Sequence, residues 1–134
     1  MFSPSLSELA ALECWSLLET VPIGRVGISV KALPVVLPVN FAVVDRCIVF
    51  RTVEGTKLKT ATAGAVVAFE ADAYETDGRS GWSVLIQGVA GVVHDPVELA
   101  TLARLPIEAW ALDGAADRYV QIQPTTISGR RFRR

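Results

Sequence analysis

The chain has 134 residues, 51% of them hydrophobic, with a mean hydropathy of +0.39, which suits one domain over residues 1–134 and excludes a disordered chain. A domain of this length buries roughly two-thirds of its unfolded surface without help from disulfides or metals, so the surplus of apolar residues points to a further covered surface such as a subunit interface or a cofactor pocket. The 13 Lys+Arg and 14 Asp+Glu leave a net charge of −1, and four of the arginines are Arg130, Arg131, Arg133 and Arg134, so the body is acidic and poorly suited to general nucleic-acid binding.

Two cysteines, Cys14 and Cys47, are too few for a secreted disulfide scaffold, and no basic and apolar leader opens the chain. The longest apolar run, Ala32 to Val44, is broken by Pro34, Pro38 and Asn40 and falls short of the ~20 residues that span a bilayer. These features predict a cytoplasmic protein with no membrane or nucleic-acid partner.

Ser5 and Glu8 have capping-box spacing, which predicts a helix whose stripe is Leu6, Leu9, Leu12, Trp15 and Leu18, ended by Val21-Pro22. Alternation predicts a strand over Ile23–Val30, a turn over Lys31–Pro34 and a second strand over Val35–Val44. Asp45-Arg46 is the hairpin turn into a third strand, Cys47–Val53. A loop at Glu54–Thr56 then leads into a short helix over Lys57–Ala63. Further strands are predicted over Ala65–Ala71 and Trp82–Val93, around a polar loop at Tyr74–Gly81. Asp95 caps a helix that starts at Pro96 and runs to about Leu105, and Trp110 falls in a connection. A sixth strand over Arg118–Gln123 and the start of a seventh at Thr125–Ser128 complete the pattern. This is a mainly β chain: a six- to seven-stranded antiparallel barrel with two or three short helices.

Metal and nucleophile chemistry find little support. The one histidine, His94, reads as a turn residue before a helix cap, and no cluster has ligand spacing. Gly78-Arg79-Ser80-Gly81 lacks the spacing of a nucleophile elbow, only Arg46 flanks Cys47 with positive charge, and no glycine-rich dinucleotide or phosphate loop occurs.

Three segments carry chemistry. Pro38 in a strand removes a ladder donor and calls for an edge or a bulge, and Asn40 beside it could meet the polar rim of a planar heterocycle or simply end an edge strand. Arg51, Thr52, Thr56, Lys57 and Lys59, where a strand runs through a loop into a helix, make an anion site or a solvated basic turn. Trp82 could cover a planar ligand or fill the core; Gln87 is a polar strand residue near Gly88, and Trp110 suits either an interface or a core.

In order, the motifs Val-Leu-Pro-Val-Asn-Phe, Ile-Val-Phe-Arg-Thr-x-x-Gly-Thr-Lys-Leu, Val-Ala-Phe-Glu-Ala-Asp, Gly-Trp-Ser-Val-x-Ile-x-Gly and Ile-Ser-Gly-Arg-Arg-Phe resemble the pyridoxamine 5′-phosphate oxidase-like flavin-binding family, in its small actinobacterial form. The resemblance implies a split β-barrel homodimer that holds FMN between subunits. It implies that Pro38, Val39 and Asn40 lie along the isoalloxazine ring. It implies that Arg51, Thr52, Thr56, Lys57 and Leu58 hold the phosphate and ribityl chain. Trp82, Ser83 and Gln87 would approach the flavin, often from the partner, and Trp110 would reach across the dimer. Arg130 and Arg131 match the closing strand, where they could help at a phosphate.

The implied function is an FMN-dependent oxidoreductase of a small organic substrate, reduced by a nicotinamide cofactor or another electron donor. The flavin would carry the redox step, which leaves the catalytic side chains unassigned. A deazaflavin-dependent reductase of the same fold, with Lys59 and Arg79 beside the cofactor tail, and a non-catalytic flavin- or haem-binding module are the alternatives.

Overall fold

The computed structural model describes residues 5–53, 63–107 and 116–134. Among these residues seven antiparallel strands are joined with two short helices: β1 (Ser5–Glu8), α1 (Ala11–Leu18), β2 (Ile23–Val30), β3 (Leu33–Val44), β4 (Cys47–Val53), β5 (Val66–Tyr74), β6 (Ser80–Val92), α2 (Pro96–Leu102) and β7 (Ala116–Arg133). The sheet order is β1-β7-β4-β3-β2-β5-β6, and a β6–β7 pairing closes six strands into a ring with β1 outside it. The expected split barrel is the observed fold.

Several expectations need correction. The segment Ser5–Glu8 is not the start of a helix: it pairs with Arg130–Arg133 as β1, and α1 opens at Ala10 without a side-chain cap. A strand edge on β7 satisfies four backbone units that an isolated first helical turn would leave open, so tertiary pairing overrides the capping signal. The stripe shifts accordingly. Leu6 and Leu12 are exposed, and α1 buries Cys14 and Leu18, one helical turn apart.

The predicted sixth and seventh strands are one 18-residue strand, β7. Pro124 does not end it, because Thr125 is taken up as an extra residue of β7 opposite the Gln87–Gly88 step of β6, and the backbone of Gly88 lies against Gln123 and Pro124 where a Cβ would not fit. The turn after β2 is only Lys31-Ala32, and Pro34 already pairs with Ser29. The second helix ends at Leu102 rather than Leu105. The helix predicted over Lys57–Ala63 lies, up to Thr62, outside the described residues.

Inward-facing residues of every ring strand form the main core. Val26, Phe41, Ile48, Phe50, Phe69, Val84, Ile86 and Ile122 meet there, with α1 closing one end through Cys14 and Leu18. A second, smaller core lies outside the barrel, where Leu102 of α2 and Ile107 cover Val49 and Val93. The predicted inward face of β6 is observed: Trp82, Val84, Ile86, Gly88 and Ala90 are all buried.

Candidate functional site

Strand alternation decides which predicted site residues can meet, since successive side chains point to opposite faces. On β3, Val39 and Phe41 point into the barrel, whereas Pro38, Asn40, Ala42 and Val44 take the outer face. On β4, Ile48, Phe50 and Thr52 point inward, whereas Val49 and Arg51 point outward toward the α2 side.

The β3–β4 register runs from Val44↔Cys47 to Phe41↔Phe50. Beyond that last pair β3 extends back to Leu33 along β2, and β4 runs on to Val53 along β7, its partner on the other edge from Ile48 onward. The two strands thus form a fork. Pro38, Val39 and Asn40 lie on one prong, Arg51 and Thr52 on the other. This is where the proline is tolerated, at the part of β3 that lies past its β4 ladder, which meets the expectation of a local edge.

The polar groups of the fork have defined partners. Asn40 donates from Nδ2 to the Pro22 carbonyl at 3.4 Å. The Arg51 guanidinium donates from Nη1 to the Ile107 carbonyl at 3.2 Å and lies over the Tyr119 ring, 5.3 Å from its centroid. Thr52 is only 3% exposed, and among the described residues its hydroxyl has no hydrogen-bond partner. A buried hydroxyl without a partner costs about 1–3 kcal/mol, so such a group calls for one.

The predicted residues of β6 are elsewhere on the same chain. Ser83 pairs with Asp72 and Arg130, and Gln87 pairs with Ala68, with β5 and β2 between them and β3. The exposed Gln87 side chain meets Thr126 at 3.2 Å. Trp82 is 7% exposed and belongs to the main core. Thr56, Lys57, Leu58, Lys59 and Trp110 lie outside the described residues. Arg130 and Arg131 are exposed on β7 beside β1. His94 is exposed just before Asp95, whose carboxylate accepts from the Val97 amide at 3.1 Å as the cap of α2. Cys14 and Cys47 are both buried free thiols, with burial pushing each thiol above its ordinary value.

Sequence reasoning missed one constellation. Arg25 on β2 donates from Nη1 to Glu70 at 2.9 Å and to Asp72 at 3.2 Å, both on β5, and the Tyr74 hydroxyl donates to Asp72 at 3.0 Å. The available signal was the Glu-x-Asp-x-Tyr alternation on a strand, which places three polar side chains on one face.

Among the described residues no helix is long and apolar enough to cross a membrane, and no group of three His, Cys, Asp or Glu could hold a metal ion.

The sequence pattern described as pyridoxamine 5′-phosphate oxidase matches residues 10–131. An uncharacterized protein of Mycobacterium tuberculosis is 40% identical over 130 residues, covering 93% of this chain and 84% of that one. The solved structure of a protein of Mycobacterium smegmatis, described as an FAD binding protein, is also 40% identical, with a TM-score of 0.83 over 96% of this chain and 99% of that one. A Corynebacterium glutamicum structure is 30% identical, with a TM-score of 0.82 over 99% and 97% of the two chains. Barrel, motif order and matched length agree, and the chain belongs to the pyridoxamine 5′-phosphate oxidase family.

Proposed function

We propose that this chain binds a flavin at the β3–β4 fork and serves as an oxidoreductase of a small organic substrate. The observation that carries the reading is the fork itself, which sets Pro38–Asn40 opposite Arg51 and Thr52 at the point where the ladder ends. Bound there, a flavin would supply a planar ring able to accept or give a hydride or single electrons. The chain's own residues would bind and orient it. Pro38 and Asn40 offer one flat outer surface, with Val39 holding the strand in the core. The Thr52 hydroxyl offers a buried donor or acceptor, and Arg51 offers a fixed cation on the outer face. Thr56, Lys57 and Leu58 would complete the phosphate and ribityl contacts.

The FMN unit, present in FMN and in FAD alike, is what this fork would recognise. The M. smegmatis relative described as an FAD binding protein supports a flavin and favours FAD as the form carried. The β6 residues support a homodimer. Ser83 and Gln87 stand on β6, with β7 between them and the β4 prong and with β5 and β2 between them and the β3 prong, so a second copy would bring them to a ligand there, and Trp110 would come across the same interface. A nicotinamide cofactor or another donor would reduce the flavin.

The test is the visible spectrum of purified protein, with mass analysis of what acid releases. A yellow protein releasing FMN or FAD supports the reading, and Lys57→Ala should then weaken flavin binding at least tenfold through the lost charged contact. A protein that takes up neither flavin but binds a deazaflavin, or one that binds haem alone, would overturn it.

A further inference from the structure

The ring is not uniformly knitted. The β2–β3 register runs through eight residue pairs and β5–β6 through nine, but β2 and β5 meet through three: Arg25↔Glu70, Val26↔Phe69 and Gly27↔Ala68. This is a short seam between two longer strands. On its inner side Phe69 packs beneath Gly24 and edge-on to Phe41, with ring centroids 4.8 Å apart. On its outer side one guanidinium nitrogen of Arg25 holds both Glu70 and Asp72, and these are the two ion pairs among the described residues.

We propose that Arg25, Glu70 and Asp72 form a proton-operated clasp across the β2–β5 seam, tightest when the two carboxyls share one proton and looser when both are ionised. With one proton the cluster is electrically neutral: Arg25 carries +1, the pair carries −1, and the proton bridges Glu70 to Asp72. With both ionised, two like charges two residues apart on one strand face compete for a single nitrogen. Among the described residues no second cation pairs with either carboxyl. From β5, Tyr74 already donates to Asp72. From β6, Leu85 stands opposite Glu70 and Ser83 opposite Asp72, and neither titrates in this range. From β3, Pro38 stands opposite Arg25. Beyond Ser83, Arg130 of β7 is exposed to solvent. Burial and the neighbouring Asp72 push Glu70 up to about 7, in keeping with a shared proton. A seam that binds the proton more tightly when closed must open more readily as that proton leaves.

The test is amide hydrogen exchange at pH 5.5 and pH 8, corrected for the intrinsic pH dependence of exchange. Protection of Arg25–Gly27 and Ala68–Glu70 is compared with that of the outer β5–β6 pairs. The expected result is a loss of seam protection on the order of tenfold toward pH 8 in the native chain, less than the full carboxyl shift implies because the cluster is partly solvated. Glu70→Gln should hold seam protection constant over the same range. Equal behaviour of seam and β5–β6 ladder in the native chain, or the same loss in Glu70→Gln, overturns the proposal. A carboxyl 13C titration of the native chain gives a readout that needs no variant, and a midpoint for Glu70 in the ordinary carboxylate range also overturns it. Neither measurement depends on flavin binding.

Discussion

Arg51 and Thr52 are neighbours in sequence but lie on opposite faces of the barrel wall: the guanidinium outside against Ile107 and Tyr119, the hydroxyl inside at 3% exposure. Their separation makes the two residues testable independently. Thr52→Val replaces a buried hydroxyl that has no partner among the described residues by a methyl of similar shape, so the free protein should be unchanged or up to about 1 kcal/mol more stable in urea. Flavin affinity, read by fluorescence quenching, should fall about tenfold if that hydroxyl meets the cofactor. A loss of stability with unaltered affinity would remove Thr52 from the site.

Arg51→Lys keeps the charge but not the planar fork that reaches a carbonyl and an aromatic face together. Flavin binding should weaken about tenfold, and raised salt should not restore it. Titration at two ionic strengths checks both parts.

Gly24 has no space for a side chain, because a Cβ there would overlap the Phe69 ring and approach the Glu70 carbonyl at 2.9 Å. Gly24→Ala should destabilise the fold by about 1–3 kcal/mol through overpacking, measured by urea denaturation. The loss should concentrate at the β2–β5 seam, with exchange at Val26 and Phe69 quickening before exchange on β6.

Lys31 and Ala32 make the two-residue turn from β2 to β3 with φ of 51° and 64°, and Asp45 and Arg46 repeat it after β3 with 50° and 57°. Positive φ at both central residues matches the right-handed twist of a hairpin, but alanine has no side-chain bond to offset its crowding there. Ala32→Gly should stabilise the protein by about 0.5–1 kcal/mol, the strain relief being partly cancelled by glycine's unfolded-state entropy. Thermal melting checks it.

The Arg25 cluster also sets a pH dependence of global stability. Burial first, and Asp72 second, raise Glu70 from its ordinary 4.5 to about 7. The folded chain therefore holds a proton that the unfolded chain releases, and this stability is full below 4.5 and lost as pH rises to about 7. Asp72 is held below its ordinary 3.8, against burial, by its bonds to Glu70, Tyr74 and Arg25, so its share is present above 3.8 and lost on further acidification. Tm of the native chain should fall between pH 5 and pH 7.5, and Glu70→Gln should flatten that limb. A native Tm that rises across that window would contradict the assignment.

The residues that sequence reading placed correctly are those whose local pattern has one solution. Asp45-Arg46 between two apolar runs made a hairpin, Trp82–Ala90 alternated into a buried face, and Asp95-Pro96 opened a helix. Strand period, turn chemistry and capping act over a few residues, so the sequence by itself determined the mainly β class, most strand positions and the candidate segments around Pro38 and Arg51, while the five ordered motifs carried the resemblance to the family. Tertiary structure decided the rest, because each remaining question had two local answers of similar energy. Ser5–Glu8 became a strand because β7 offered an edge. The stretch around Pro124 stayed in one strand because the extra residue Thr125 is taken up as a bulge against β6. Arg25 found Glu70 and Asp72 across 45 and 47 positions of sequence. The fork at Phe41↔Phe50 exists because β3 parts from β4 to follow β2 while β4 stays on β7, and such long-range pairings depend on chain closure that no short window of sequence contains.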